Sequence, residues 1–573
     1  MNHSQVVRIR LIGIVVILVT LILGAKLFFL QIWSNEFYAA QADRQYLKSA
    51  HTFFDRGSIY FTNKAGNKVP AATLKQEFLI TMNPQLIKNP SDTFNLITKY
   101  LPELSEPKFL DLADDKERAY AEIATEVGKT AADAIKALDL KGVYIVKEKK
   151  RFYPAEHLAS HVLGFMAFRG DDYTGIYGLE REFNKVLAHK EQGSFASFFA
   201  EVFLGLGSGI TGGIVGEGDV ILSLEPVVQH TVETILKEAV DKWGADAGGV
   251  IVMDPHTGQI ISMAALPNFH PGERQSDITA LPNPLVENVF EMGSIVKPLT
   301  LAAAIDAGLV NSNTTFFDPG FIELNGRKIM NHDKKSHGLV TMQEVINQSL
   351  NTGAVFMMQK LGQARFRDYF LNRYGLGEKT NIDLPSEVPN LVKNLSSNRE
   401  VEFATASFGQ GIALSPISIT RAFAVLASGG NLIEPHIVSS IDYNIGVEKK
   451  VEPKIIKQGV LSKKAIEETT AVMVKAVDES LLGGTVSLPY YSVAAKTGTA
   501  QISTGRSGYD ENKYLHSFAG YYPAYNPRFV TFMYLINPKG VQYSSDTLSK
   551  SFMETAEFLL NYYEVSPDRT PDK

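Results

Sequence analysis

The chain has 573 residues, of which 45% are apolar and 21% charged, and its formal net charge is −6. These values are near globular averages and exclude disorder or low complexity for the chain as a whole. Lys and Arg total 56 against 62 Asp and Glu, so no basic excess points to a nucleic-acid partner. Cysteine is absent, which excludes disulfides, thiolate catalysis and Cys-ligated metal sites.

The first predicted element is a membrane span. Residues 11–33 are almost continuously apolar, and about 20 such residues cross the hydrocarbon core of a bilayer. Arg8 and Arg10 precede this run, which predicts a cytoplasmic N-terminus and export of everything that follows. A cleaved signal peptide is the alternative, because Ala40 and Ala42 resemble a small-residue cleavage site. We favour the anchor because the apolar run is longer than a typical signal sequence and that site lies well beyond its end.

The region from about 50 to 190 alternates short β-like runs with helical stretches. Val143–Val146 predicts a strand, and Glu117–Leu138, rich in Ala, Glu, Asp and Lys, predicts a helix. Seven of the fourteen residues from 205 to 218 are glycine, and Gly207–Gly212 formally matches a dinucleotide-binding fingerprint. No helix follows this match to receive a pyrophosphate, so we interpret the segment as a flexible connector.

After Glu217 the pattern becomes that of a compact domain in which strand pairs alternate with helices. One antiparallel sheet covered by helices is expected, with a mostly helical insertion between 265 and 490. The predicted elements are a strand Asp219–Leu222, a helix Val227–Trp243, a hairpin of Gly248–Met253 with Gln259–Ala264, a hairpin of Phe518–Tyr522 with Arg528–Ile536, and a helix near Thr547–Tyr563.

Ser294 and Lys297 open a helical run and could carry chemistry. Residues at i and i+3 share a helix face, so a hydroxyl and an amine can approach each other there. The amine can take the proton of the serine if burial or a second cation keeps it uncharged often enough. Ser-x-x-Lys alone is a weak signal, since the serine of such a sequence is often only a helix cap.

Two further segments strengthen this interpretation. Ser349 and Asn351 place a hydroxyl and an amide two residues apart in a predicted turn. Lys496-Thr497-Gly498-Thr499 ends a β-like run, where the glycine lets a substrate backbone approach and the polar groups can bind a carboxylate. Three such segments in this order are much harder to obtain by chance than any one of them.

Together these segments resemble the signature of penicillin-binding proteins and class A β-lactamases, Ser-x-x-Lys, Ser-Asp-Asn and Lys-Thr-Gly. The first and third motifs are intact, and Leu350 replaces the middle Asp of the second, which argues against a class A β-lactamase. No Glu-x-x-Leu-Asn, which resembles the deacylating element of that enzyme, occurs between Asn351 and Lys496. The segment most similar to this pattern is Asp368–Asn372, which has Asp in place of Glu.

The resemblance extends over most of the chain and points to class B penicillin-binding proteins. Glu291 and the segment Ile382–Pro385 resemble the division-specific, FtsI-type branch of that class. After the first conserved-type motif, Asp55–Tyr60, Thr62-Asn63 stands where this class usually has a second Asp-Arg pair. The other stretches similar to class B boxes are Asp55–Tyr60, Arg151–Pro154, His161–Phe165, Gly178–Glu180 and Phe408–Gly411.

The resemblance implies an α+β architecture with an N-terminal transmembrane helix, an elongated pedestal and a C-terminal transpeptidase domain of an antiparallel sheet, flanking helices and a helical subdomain. It also implies a location in the cytoplasmic membrane, crossed once, with the catalytic domain outside. The expected divisions are a cytoplasmic tail 1–10, an anchor 11–33, a pedestal of the dimerisation type with its connector 34–215, a transpeptidase domain 216–565 and a tail 566–573.

The implied reaction is acyl transfer from a peptidoglycan stem peptide ending in D-Ala-D-Ala, in septal wall synthesis. Lys297 would deprotonate Ser294, which attacks the penultimate carbonyl, while Ser349, held by Asn351 and Lys297, relays a proton to the leaving amine. Backbone N–H groups of Ser294 and Thr499 would form the oxyanion hole. Lys496, Thr497, Gly498 and Thr499 would bind the terminal carboxylate, and Lys496 would also help keep Lys297 neutral.

β-Lactams should acylate the same serine, and neither a metal nor a cofactor is expected. The partners that the resemblance implies are a membrane glycan polymerase of the SEDS family and other division proteins. Three alternatives stay open: an elongation-type transpeptidase, a D,D-carboxypeptidase or β-lactamase-like hydrolase that passes the acyl group to water, and a penicillin-binding receptor without turnover.

Overall fold

The structure is a computed structural model, and it describes residues 55–170, 172–188, 216–273, 277–503 and 508–570. The predicted membrane span, 11–33, and most of the glycine-rich connector lie outside these ranges. Within the described ranges, no helix combines the length and the hydropathy needed to cross a bilayer.

The strands pair mostly with antiparallel neighbours and carry alternating side chains to opposite faces. In chain order they are β1 Ile59–Thr62, β2 Lys68–Met82, β3 Ala121–Val127, β4 Val143–Phe152, β5 Met166–Arg169, β6 Asp172–Gly175, β7 Gly218–Leu222, β8 Ala247–Met253, β9 Ile260–Leu266, β10 Thr315–Asp318, β11 Phe321–Leu324, β12 Arg327–Met330, β13 Gly338–Thr341, β14 Leu432–Ile433, β15 Val438–Tyr443, β16 Val447–Lys450, β17 Ile455–Lys457, β18 Ala494–Ser503, β19 Tyr509–Tyr522 and β20 Phe529–Ile536.

Several of the helices begin with a side-chain cap or a proline in their first turn. In chain order they are α1 Pro90–Ile97, α2 Glu106–Asp114, α3 Lys129–Ala137, α4 Ser160–Leu163, α5 Gly178–Glu182, α6 Asn184–Leu187, α7 Pro226–Trp243, α8 Pro284–Glu287, α9 Lys297–Asp306, α10 Met342–Asn347, α11 Asn351–Leu361, α12 Gln363–Arg367, α13 Glu400–Ala406, α14 Pro416–Ala427, α15 Lys463–Lys475 and α16 Ser544–Tyr562.

The chain divides into two compact units, and the described core of the first is Leu74–Arg151. In it the later part of β2 pairs with β3 and β4. Phe94 of α1 and Phe109 of α2 pack against each other, with ring centroids 5.5 Å apart, over the apolar face of this sheet. The unit therefore has its own small hydrophobic core.

The second unit contains a five-stranded antiparallel sheet in the order β18-β19-β20-β8-β9. Both faces of this sheet are covered. Val250 and Val252 of β8 pack toward α7 and α16, while Ile251 and Met253 belong to the larger core that includes α14. β18 is left at an edge, where alternate backbone groups have no strand partner on one side.

The α+β architecture predicted from the sequence is confirmed, and one local prediction is wrong. Glu117–Leu138 is not one helix, because residues 121–127 form β3 and pair with β2 before α3 begins. Its Ala and Glu content favoured helix, but pairing and burial of alternate residues outweighed that propensity. The insertion 265–490 also contains short two-stranded sheets in addition to helices, among them β10 with β13 and β11 with β12.

Candidate active site

Ser294 lies in a tight turn that leads directly into a buried helix. Gly293–Val296 forms a single 3₁₀ turn, and α9 starts at Lys297. The turn begins with Gly293 at φ 62°, a left-handed conformation that suits glycine. Ser294 lines a cavity, and its Oγ has no hydrogen-bond partner among the described residues. This hydroxyl is therefore accessible to a ligand.

Lys297 is fully buried, and its Nζ reaches across to the turn that carries Ser349. It donates one hydrogen bond to the backbone oxygen of Ser349 and a second, of 3.2 Å, to its Oγ. No hydrogen bond joins Lys297 to Ser294 in the described part of the chain, although the sequence spacing predicted a contact there. The amine of Lys297 is therefore held by Ser349 and not by Ser294.

Ser349 adopts a strained backbone conformation at the point where α10 ends and α11 begins. Its φ is 56°, which costs a residue with a side chain about 1–2 kcal/mol relative to ordinary angles. The turn is fixed by a hydrogen bond from the amide of Leu350 to the carbonyl of Val345, at 2.9 Å. Such strain persists where surrounding structure over-determines a residue, which is common at functional sites.

We expect two substitutions that remove the Ser349 hydroxyl to differ in stability because of this strain. Ser349→Gly should be more stable than Ser349→Ala by about 1 kcal/mol, because glycine adopts a left-handed φ without cost. Both variants should lose a similar fraction of the acylation rate, since neither can relay a proton. Thermal unfolding and the rate of β-lactam acylation measure the two effects. Equal stability of the two variants would contradict the strained conformation.

Asn351 is the first residue of α11, and its side chain points to a neighbouring strand in addition to lining the cavity. Its Nδ2 donates to the backbone oxygen of Met330 at 2.9 Å. No hydrogen bond between Asn351 and Ser349 or Lys297 is present in the described residues. Asn351 thus ties the Ser349 turn to the end of β12, an arrangement that the sequence did not predict.

The Lys-Thr-Gly segment lies on the edge strand β18, beside the serine turn. Lys496, Thr497 and Thr499 line the same cavity as Ser294 and Ser349. The Oγ1 of Thr499 accepts a hydrogen bond from the amide of Ser544 at 3.1 Å, which leaves its own proton free to donate. Lys496 is 6% exposed and donates to the backbone oxygen of Thr497 at 3.1 Å. Several donors therefore converge on this wall of the cavity.

Gly498 does not line the cavity but allows β18 to approach the serine turn closely. A Cβ at this position would lie 2.4 Å from the Oγ of Ser517 and 2.6 Å from the backbone oxygen of Met292. Both distances are far below van der Waals contact, so any side chain would push the strand away. Gly498 therefore contributes to the site by allowing close packing of the backbone, whereas the sequence pattern predicted a role in substrate binding.

The electrostatics of the two lysines favour an uncharged amine in the site. Burial lowers the pKa of Lys297 well below its ordinary value, and the positive charge of Lys496 lowers it further. Burial also lowers the pKa of Lys496 to about 8. Lys297 can therefore serve as a base near neutral pH, while Lys496 keeps a largely cationic character there.

The cavity that joins these groups has a volume of about 1130 Å³, which is large enough for a peptide. Its wall includes groups that the sequence motifs did not reveal, because they come from segments with no distinctive pattern. One of them, Tyr509, donates to the carboxylate of Glu291 at 3.0 Å. Further lining residues of this kind are Arg327, His332, Asp333, His337 and Tyr543, whereas Gln410 belongs to the segment Phe408–Gly411 that the sequence did single out. Among the residues that can be described, no His, Asp and Glu cluster suited to a metal ion occurs.

Comparison with known proteins identifies the family to which this chain belongs. The model of the penicillin binding protein transpeptidase domain matches residues 248–556, and that of the penicillin-binding protein dimerisation domain matches residues 54–195. The matched transpeptidase model alone covers more than half of the chain. The chain therefore belongs to the penicillin-binding proteins, in their class B of single transpeptidases with a dimerisation domain, and the resemblance predicted from the motifs is confirmed.

Individual relatives agree with this assignment. Stage V sporulation protein D of Bacillus subtilis is 30% identical over 558 residues, which cover 93% of this chain and 82% of that protein. Peptidoglycan D,D-transpeptidase FtsI of Escherichia coli is 25% identical over 559 residues, covering 96% of this chain and 90% of that protein. The fold is similar to that of penicillin-binding protein 3 of Mycobacterium tuberculosis solved with aztreonam, with a TM-score of 0.67 at 23% identity over 91% of this chain and 99% of that one.

Proposed function

We propose that Ser294 is the nucleophile of a peptidoglycan D,D-transpeptidase and that Lys297 is its base. The observation that carries this proposal is the convergence of Ser294, Ser349 and Lys496 on one cavity, with the Nζ of buried Lys297 bonded to Ser349. Lys297 takes the proton of Ser294, whose Oγ attacks the penultimate D-Ala carbonyl of a stem peptide. Relatives named as D,D-transpeptidases support this reaction.

Ser349 and the neighbouring backbone complete the acylation step. Ser349 lies within hydrogen-bond distance of Lys297 and can pass its proton to the nitrogen of the departing D-Ala. The amides of Ser294 and Thr499 bind the oxyanion, because the serine turn and the edge strand β18 lie side by side. Asn351 holds the Ser349 turn in place through Met330.

The terminal carboxylate of the donor is bound by the Lys-Thr-Gly wall. Lys496 supplies the positive charge, and the hydroxyls of Thr497 and Thr499 supply hydrogen bonds. Gly498 acts by letting the strand pack against the serine turn. The carboxylate of a β-lactam occupies the same position, and its carbonyl is attacked by the same hydroxyl.

Transfer to an amine fits this chain better than hydrolysis. Asp368, the carboxylate nearest in sequence pattern to a deacylating glutamate, pairs with Arg373 through a contact of 2.9 Å. It is not among the residues that line the cavity. In the part of the chain that the structure describes, Asp368 is thus not placed to activate water, and the acyl group waits for an acceptor amine.

The wider assignment follows the family. The chain is proposed to act in septal wall synthesis, anchored in the cytoplasmic membrane by residues 11–33, with its catalytic domain outside. Residues 34–215 then form the pedestal and connector, and residues 216–565 form the transpeptidase domain, while 1–10 and 566–573 are tails. A SEDS-family glycan polymerase and other division proteins are the proposed partners.

The test is to label the protein with a fluorescent penicillin and map the adduct by peptide mass spectrometry. The adduct is expected on Ser294, and Ser294→Ala should remove all covalent labelling while leaving the unfolding temperature nearly unchanged. Ser545→Ala is the matched control, because Ser545 also lines the cavity. Labelling of Ser294→Ala at the wild-type level would overturn the assignment of the nucleophile.

A further inference from the structure

The second half of the reaction raises a question of proton balance. An acceptor amine reaches the acyl-enzyme as an ammonium ion and loses two protons when it becomes the nitrogen of an amide. Its lone pair forms the new C–N bond, and the C–O bond to Ser294 breaks. One proton returns to the Oγ of Ser294, through the path that Lys297 and Ser349 used for acylation, and the other needs a separate acceptor. An accessible base on the cavity wall would provide it.

The loop 331–337 carries two imidazoles on that wall, those of His332 and His337. They differ in their partners. His337 is half-buried and its Nε2 lies 2.9 Å from the Oδ2 of Asp333, so this ring is occupied. His332 is the more exposed of the two, and its ring meets the edge of Tyr543 at a centroid distance of 5.7 Å, with no hydrogen bond to either ring nitrogen in the described residues. The ring nitrogens of His332 are thus available to a ligand.

The position of this loop is fixed relative to the Ser349 turn. Asn331 donates to the buried carboxylate of Asp318 at 2.7 Å, and Thr352 donates from its hydroxyl to the same carboxylate at 2.8 Å. The backbone amide of Thr352 also donates to the Oδ1 of Asn331 at 3.2 Å. Asn331 precedes His332, and Thr352 lies on α11 three residues after Ser349. The residue before His332 is therefore tied directly to the helix that follows the Ser349 turn.

The surroundings of His332 keep its ring uncharged. Partial burial lowers its pKa, and Lys297, Lys496 and His337 lower it further whenever they carry a proton, while Asp333 opposes them. Lys334 and Arg327 add further positive charge to the wall, and the ring of Tyr543 packs against it. An uncharged imidazole can take a proton, whereas the guanidinium of Arg327 cannot.

We propose that His332 is the base that deprotonates the acceptor amine in the transfer step. Its free ring nitrogen accepts the proton that does not return to Ser294 and releases it to water at the opening of the cavity. The ammonium, the ester and the neutral imidazole thus become an amide, the serine hydroxyl and an imidazolium, with charge and atoms balanced. This role rests on the proposed transpeptidase function and adds to it a residue outside the three motifs.

The test compares acylation with transfer in His332→Gln. An N-acyl-D-alanyl thioester serves as donor and a D-amino acid as acceptor, and the aminolysis and hydrolysis products are separated chromatographically. Aminolysis at pH 7 should fall by about 10²-fold while the rate of β-lactam acylation changes by less than about threefold. The loss should shrink as pH rises, because the acceptor amine then arrives already deprotonated. His337→Gln, the matched control on the same loop, should keep the wild-type ratio of products.

The outcomes separate this inference from the function on which it rests. Normal acylation with an unchanged pH profile of aminolysis in His332→Gln would overturn the role of His332 alone. An equal loss of acylation and aminolysis would also overturn it, because it would mean that the substitution disturbs the whole site. A wild-type protein that is not acylated at all would instead contradict the transpeptidase itself.

Discussion

Lys297→Met is expected to reduce β-lactam acylation by about 10²- to 10⁴-fold, the range that a positioned base contributes. Methionine fills most of the buried volume of the lysine but has no group to accept the proton of Ser294. The measurement is the second-order rate of acylation by a fluorescent penicillin. Acylation at the wild-type rate at pH 7 would mean that another group activates Ser294.

The pH dependence of acylation should report the same amine. The rate should rise as Lys297 loses its proton, and this acid limb should lie below the ordinary lysine range because burial and Lys496 lower the pKa. Removing the neighbouring charge in Lys496→Gln should raise the pKa of Lys297 and move the limb to higher pH by about one unit. Lys334→Gln is the control, since Lys334 also lines the cavity but does not affect that pKa. An unmoved limb in Lys496→Gln would contradict the coupling.

Stability should change in the opposite sense to activity in Lys297→Met. A lysine whose folded pKa lies below its unfolded pKa takes up a proton on unfolding, so its burial destabilises the folded protein below pH 10.5. We therefore expect the methionine variant to unfold at a higher temperature than wild type at neutral pH. The difference should diminish as the pH rises through the unfolded pKa of lysine, above which both states hold the neutral amine.

Gly293→Ala should reduce acylation by about 10²-fold or more, because it displaces the nucleophile from the edge strand. A Cβ at position 293 would lie 2.7 Å from the backbone oxygen of Thr499, and backbone atoms cannot move aside as side chains do. A misplacement of about 1 Å is enough for a loss of this size. The rate of acylation is measured alongside the unfolding temperature.

Gly308→Ala separates this displacement from backbone strain. Gly308 has φ 70° and Gly293 has φ 62°, so alanine meets a similar conformational penalty of about 1–2 kcal/mol at both positions. No atom lies within 4 Å of a Cβ at position 308, whereas the Cβ at 293 meets β18. Both variants should lose stability, but only Gly293→Ala should lose acylation. Equal acylation rates would contradict the proposed contact between the serine turn and Thr499.

The sequence alone determined the class of this protein and the identity of its main motif residues. Ser294, Lys297, Ser349 and Lys496 could be found because the residue types and their order are distinctive, and the family comparison confirms the class that they indicated. Strands β8 and β20 were also predictable, because each is an almost continuous run of apolar residues between turn residues. These signals are local, or need only the order of short segments, so no folded structure is required to see them.

The tertiary structure decided how these residues act on one another. Spacing suggested that Lys297 contacts Ser294, but folding places its Nζ on Ser349, 52 residues away in the chain. The same holds for Gly498, whose importance depends on the backbone of Met292 packed against it, and for His332, which local sequence does not distinguish. Distances between remote segments, burial and the fields of neighbouring charges arise only when the chain is packed, and it is these that set the pKa of the base and the shape of the site.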